Sequence, residues 1–218
     1  MRWRREQAGK QIIIVPALLI CIFLLGGCNG GTNEPRRINK ARYGRKEAKL
    51  LKRIDRKFGD VDAHYKLGRL YQAKEQWIQA ESQYSIALNF DPVHRPSQAA
   101  SVKVLMSSGD TTKAKLLAEK YIKEASISAA GSLQLAQAFQ EQGLDDYALE
   151  CYQRAIYLAP TSAKVNRQIG FYYLSKGNKD MAREYLSCSF QLNPNQPDVA
   201  GELGRLGVVV RIPKKTGK

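Results

Sequence analysis

The stretch VDAHYKLGRLYQAKEQWIQAESQYSIALNFDPVH, Val61–His94, decides how this chain folds, because its spacing returns three more times with no insertion between copies. Its marks are Leu67, Gly68, Tyr71, Ala80, Tyr84, Ala87 and Pro92. At the same offsets the third copy has Leu135, Ala136, Phe139, Ala148, Tyr152, Ala155 and Pro160, and the fourth has Ile169, Gly170, Tyr173, Ala182, Leu186, Ser189 and Pro194. The second copy is the weakest, keeping Leu105 and Ala114 but carrying Ser101, Val102, Ala118, Tyr121 and Ser126 elsewhere. The copies are therefore residues 61–94, 95–128, 129–162 and 163–196. A period in this range marks a stacked array rather than a single closed core.

Each copy reads as two helices. Leu67 and Tyr71 stand four residues apart with the small Gly68 beside them, which puts all three on one helical stripe. Gly109, Gly143 and Gly177 recur where a left-handed residue closes a first helix; Glu75 takes that place in copy one, at a conformational cost. Ala80, Tyr84 and Ala87 make the stripe of a second helix, which Pro92 stops. No such pair buries its apolar face alone, so stability comes from stacking on neighbours.

This pattern resembles the tetratricopeptide repeat (TPR), whose order is an aromatic, Leu-Gly, Tyr, Ala, aromatic, Ala and Pro at these offsets. The resemblance covers residues 61–196 and implies an all-α, right-handed superhelical solenoid of about four helix pairs. The chain departs from the family at the first aromatic position, where it has His64, Gln98, Ser132 and Asn166.

Ahead of the repeats, Arg2, Arg4, Arg5 and Lys10 precede an apolar run from Ile12 to Leu25 that is short for a membrane span and reads as an export signal over residues 1–27. The run ends in Leu25-Gly26-Gly27-Cys28, which resembles the lipobox of bacterial lipoproteins and implies a lipid on the thiol of Cys28. An uncleaved anchor or an ordinary secretory signal is the alternative. Residues 28–39 read as a flexible tether and 40–60 as a basic capping helix, with Tyr43, Leu50, Leu51, Ile54 and Phe58 near one face. That helix either packs on the first repeat or lies on a membrane surface. Residues 197–218 read as a short capping helix and a basic tail.

The formal charge of +15 is unevenly spread. Residues 34–60 hold eleven Lys or Arg against four Asp or Glu, and 205–218 hold five against none, while 61–204 balance at fifteen each. A neutral array lacks the basic track that phosphate binding needs, so nucleic acid is not expected as a partner. The basic flanks suit anionic lipid or a cell-wall polymer.

In TPR proteins the concave face docks partners, and the resemblance places Tyr65, Arg69, Lys103, Met106, Gln137, Arg167 and Phe171 in a groove suited to an extended peptide or a helix. Family members that grip a C-terminal carboxylate use a clamp that fails here, where the matching positions hold Tyr65, Arg69, Ala100, Ala130 and Gln134. No catalytic constellation, metal-ligand spacing or cofactor motif appears: His64 and His94 read as structural, and Asp145-Asp146 as helix-start carboxylates. Cys151 and Cys188 are expected as free, mostly buried thiols. Together these readings imply a membrane-anchored lipoprotein facing the periplasm, binding an envelope protein or peptide segment. The residue after the lipidated cysteine, Asn29, leans towards the outer membrane. Two narrower versions stay open: a pilotin-like assembly factor for a pilus or secretion secretin, and an adaptor for cell-wall hydrolases.

Overall fold

The computed structural model describes residues 34–210, with side chains from Gly44 onward, as ten α-helices; the export signal, Cys28 and the tail from Arg211 lie outside the described residues. The helices are α1 (Glu34–Arg56), α2 (Val61–Gln72), α3 (Trp77–Phe90), α4 (Arg95–Ser108), α5 (Thr111–Ala125), α6 (Ala129–Glu141), α7 (Asp145–Leu158), α8 (Ala163–Ser175), α9 (Lys179–Leu192) and α10 (Pro197–Arg205). Helices α2 to α9 form four hairpins, one per sequence copy, with α1 and α10 at the two ends. Among the described residues no helix is long and apolar enough to cross a membrane.

Local chemistry sets the helix limits. Asp60, Asp110, Ser128, Ser162 and Asn178 each accept a hydrogen bond from the backbone N–H three residues on, satisfying a donor that the helix itself cannot. The first helices close on left-handed residues: Glu75 (φ 58°), Gly109 (96°), Gly143 (68°) and Gly177 (73°). Glu75 does so without the freedom of glycine.

Inside a hairpin, a small residue on the first helix meets a large one on the second. A Cβ added to Gly68 would lie 2.5 Å from the Tyr84 ring, and one added to Gly170 would lie 2.6 Å from Leu186. Copy three pairs Ala136 with Tyr152 at the same positions. Copy two exchanges the sizes, with Val102 on α4 and Ala118 on α5, both fully buried. Its weak signature is therefore a swap of volumes, and α4, rich in small residues, is buried from Ser97 to Val102 and again at Val104 and Leu105. It packs on α3 and α6 as well as on its own partner α5.

The departure from the family at the first aromatic position has a physical reason. His64, Gln98, Ser132 and Asn166 are all buried and all donate to a backbone carbonyl in the turn before their own helix: Phe58 O (2.7 Å), Pro92 O (2.8 Å), Ala125 O (3.2 Å) and Pro160 O (2.9 Å). One period later Ala200 cannot donate; Gln196 substitutes, donating to the Ser189 and Asn193 carbonyls at 3.0 and 2.8 Å. Each of these bonds satisfies a turn carbonyl that a phenyl ring would leave without its side-chain donor.

The ends differ from expectation in detail. Helix α1 begins at Glu34, inside the stretch read as tether, because a proline in a first turn removes no internal hydrogen bond. Its contact with the repeats is one narrow stripe, Leu50 and Ile54, against Ala63, Leu67 and Leu70. Leu51 and Phe58, expected on the same face, are 43% and 61% exposed. Helix α10 buries Val199, Ala200 and Leu203 on Leu186 and Phe190. Cys151 is buried, and burial pushes its thiol up to about 12. Cys188, expected to be mostly buried, is exposed on the outer side of α9, three positions further round its hairpin than Cys151.

Gly170→Ala should destabilise the chain by about 1–3 kcal/mol through overpacking, whereas Gly201→Ala, whose Cβ meets nothing within 4 Å, should stabilise it by about 0.5–1 kcal/mol. Thermal melts of the two variants check this, and equal melting temperatures would contradict the packing described. Asn166→Leu strands the Pro160 carbonyl and should cost about 1–3 kcal/mol in urea unfolding; an unchanged midpoint would remove the seam bond from the account.

Candidate functional site

The first helices α2, α4, α6 and α8 share one face, and its curvature follows from a single contact. Gln72 at the end of α2 donates to Gln142, just past α6, at 3.2 Å, although a whole hairpin separates them. Two helices that far apart in a stack touch only if the row bends, so this face is concave. The small α4 allows the bend.

Three hollows open on or beside it. A hollow of about 400 Å³ runs across three hairpins and is lined by Arg69 and Gln72 of α2, Lys103 and Ser107 of α4, and Glu141 at the end of α6, with Trp77 at its edge. A second, of about 350 Å³, lies between the α3–α4 turn and α6 and includes His94, Gln134, Gln137 and Glu141. Glu141 is common to both, a carboxylate set among Arg69 and Lys103 on one side and Arg95 on the other. The third hollow, between α1 and α2, is lined by five Lys or Arg together with Leu50, Leu70 and Ala73.

The sequence-derived groove residues fall into two groups. Arg69, Lys103 and Gln137 line the first two hollows, and Met106, 39% exposed, projects from α4. Tyr65 belongs to the packing instead: it is buried, 6.0 Å from Tyr84 and edge-on to His94 at 5.4 Å, with the Arg69 guanidinium 5.9 Å over its ring. Burial raises its hydroxyl pKa above the usual value.

Arg167 and Phe171 lie apart, on α8. Arg167 stacks 5.0 Å over Phe171 and hydrogen-bonds through Nε to the Asp198 carboxylate of α10 at 2.8 Å. Burial pushes the Asp198 carboxyl up, but the bond and charge of Arg167 outweigh it and hold the group below the ordinary carboxylate range. These two residues tie the last hairpin to α10.

The glutamines expected to bond a partner's backbone are partly engaged already. Tyr84 donates to the Gln72 carbonyl at 2.6 Å, and Tyr152 donates to the Gln140 carbonyl at the same distance two copies on. Burial raises both tyrosine hydroxyls well above their usual pKa. Sequence reasoning missed these pairs, although the signal was present: Gln-x11-Tyr recurs at the two places where the family's second aromatic is Tyr. Sequence reasoning also missed Glu141, although it stands at the thirteenth repeat position, one of those that line such a groove.

His64 bonds Phe58 O through Nε2 and Gln83 Oε1 through Nδ1 at 2.8 Å, and His94 meets Ser97 Oγ at 2.8 Å; burial lowers the pKa of His94. Both rings hold turns. Asp145 and Asp146 occupy the first turn of α7, behind Leu144 as its cap residue, and Asp145 pairs with Lys176 of the next hairpin at 2.6 Å.

Several known proteins are similar to this chain. The type IV pilus assembly protein PilF of Pseudomonas aeruginosa is 28% identical over 197 residues, covering 86% of this chain and 69% of the relative. Among solved structures, a thermophilic TPR protein of Thermus thermophilus is 15% identical with a TM-score of 0.42, covering 80% of this chain and 95% of its own. YrrB, described as a TPR protein with an unusual peptide-binding site, is 19% identical with a TM-score of 0.39, covering 79% of this chain and 88% of its own. The tetratricopeptide repeat model matches residues 131–162. By fold the chain is an all-α solenoid of four helix pairs, and the third of these is the one that the tetratricopeptide repeat model matches.

Proposed function

We propose that the chain is a lipid-anchored scaffold of the bacterial envelope, holding a partner protein against its concave face. The observation that carries this is the hollow shared by α2, α4 and α6, where Arg69, Lys103 and Glu141 meet beside Trp77. A pocket with charges of both signs and an aromatic edge suits a peptide segment with its own charges and one apolar anchor, and solenoids of this kind are interaction scaffolds. The anchor rests on Leu25-Gly26-Gly27-Cys28. Of the narrower versions, a role in assembling a pilus or secretion secretin is favoured over docking of cell-wall hydrolases by the resemblance to PilF, whose name records type IV pilus assembly.

A photo-crosslinking residue at Met106 should capture one envelope protein in intact cells, and the same residue at the exposed Lys120 of α5 should not. Lys103→Glu should weaken binding of that protein by about tenfold or more, or about 1.4 kcal/mol. Equal capture at both sites would remove the concave face from the proposal. Separately, an alkynyl fatty acid should label the wild-type chain and not Cys28→Ser; labelling that persists would rule out the anchor while leaving the scaffold reading intact.

A further inference from the structure

The solenoid starts half a repeat early. Helix α1 stands where the second helix of a preceding copy belongs, with Lys46, Leu50 and Arg53 one period ahead of Ala80, Tyr84 and Ala87. Among the described residues no first helix folds against it. At residue 41, one period ahead of the left-handed Glu75, the backbone runs on inside α1 instead of turning back.

One copy downstream the corresponding place is filled. Tyr65 of α2 is packed among Ala80 and Tyr84 of α3 and Ala100 and Val104 of α4. The equivalents of those four residues are Lys46 and Leu50 of α1 and Lys66 and Leu70 of α2, and they line an open trough of about 640 Å³. The trough's lining falls at i, i+3, i+4 and i+7 on both helices, which makes it a two-helix cradle. Half-buried Leu50 and Leu70 form its floor with Ala73.

Its walls differ in charge from the filled socket. Lys46 and Lys66 replace Ala80 and Ala100, and Lys49, Arg53 and Arg69 complete a lining that contains no carboxylate among the described residues. Asp60 engages Arg53 at 2.7 Å and Asp62 engages Lys66 at 3.1 Å, while Glu47 is turned to Lys74 at 2.5 Å. Among the described ion pairs none involves Lys46, Lys49 or Arg69.

We infer that this trough docks an acidic amphipathic helix of a partner protein. Its apolar ridge, with an aromatic in the role of Tyr65, seats on Leu50, Leu70 and Ala73, and Asp or Glu on its flanks meets the five cations. The inference does not depend on the concave hollow or on the anchor. The chain's own ends offer these cations no acidic match: residues 1–33 hold four Lys or Arg against one Glu, and 211–218 hold four against none. A flat anionic bilayer would meet the rim and leave the recessed leucines uncovered.

The test uses the full chain in phosphatidylcholine nanodiscs and a designed four-turn helical peptide with Leu and Tyr along one face and Glu on both flanks. A composition-matched isomer with the face scrambled is the comparison. Fluorescence anisotropy should show saturable binding about tenfold or more tighter than the isomer, weakening as ionic strength rises. Lys46→Glu/Lys49→Glu, both exposed and so expected to fold as wild type by circular dichroism, should lose about tenfold in affinity. Binding no tighter than the isomer overturns the inference. So does binding that moves with Lys103→Glu and not with the double variant, which would put the peptide on the concave face. Loss in the double variant of phosphatidylglycerol-vesicle binding alone, or of a chain dimer alone, would give the cations to lipid or to a second copy and equally overturn it.

Discussion

Consecutive hairpins in this chain are held in register by hydrogen bonds from a buried side chain at one repeat position to a carbonyl just before its own helix. His64, Gln98, Ser132 and Asn166 differ in length and chemistry, yet each ends on a carbonyl six or seven residues upstream. A turn that carries a proline, such as those at Pro92 and Pro160, has lost a donor and keeps its acceptors, so a donor must come from elsewhere. An apolar ring at this position would pack, but would leave the carbonyl without its side-chain donor. Because the bond is short and directional, it fixes the angle at which one hairpin meets the next.

That angle matters most around α4. The helix carries Ala99 and Ser101 where α2 carries Tyr65 and Leu67, and it is buried on nearly every side. A helix surrounded in this way needs no strong outward pattern, which is why copy two looks degenerate while lying at the centre of the array. Its thinness brings α2 and α6 near enough for Gln72 and Gln142 to touch. It also gathers Arg69, Lys103 and Glu141 into one hollow. The candidate site is thus a product of small residues on a helix whose own signature is faint.

The period, the hairpin limits and the left-handed closures were legible in the sequence, Glu75 included, because each depends on residues close in the chain. The candidate site was legible only in part. Arg69, Lys103 and Gln137 line the two hollows, and Met106 is exposed on α4. Tyr65 and Arg167 do not act as open groove residues: one is covered by Arg69, and the other is bound to Asp198 on an added helix that the repeat pattern does not describe. The polar residues at the first aromatic position read as a missing filler because their partners are backbone carbonyls, which no side-chain pattern records. Cys188 and Leu51 were misplaced for a related reason: on helices that bury narrow stripes, a shift of one position around the axis separates core from solvent.

The clasp between Gln72 and Gln142 also has a mechanical consequence. It spans the gap left by a whole hairpin, so the first three hairpins are braced like a strut across an arch. At the next joint the ties join neighbours only, Gln140 to Ser175 at 3.4 Å and Asp145 to Lys176 at 2.6 Å. Among the described residues no side-chain bond reaches from the second hairpin to the fourth. Straightening the arch near α1 therefore means breaking the Gln72–Gln142 bond, whereas the far end carries no tie of that span.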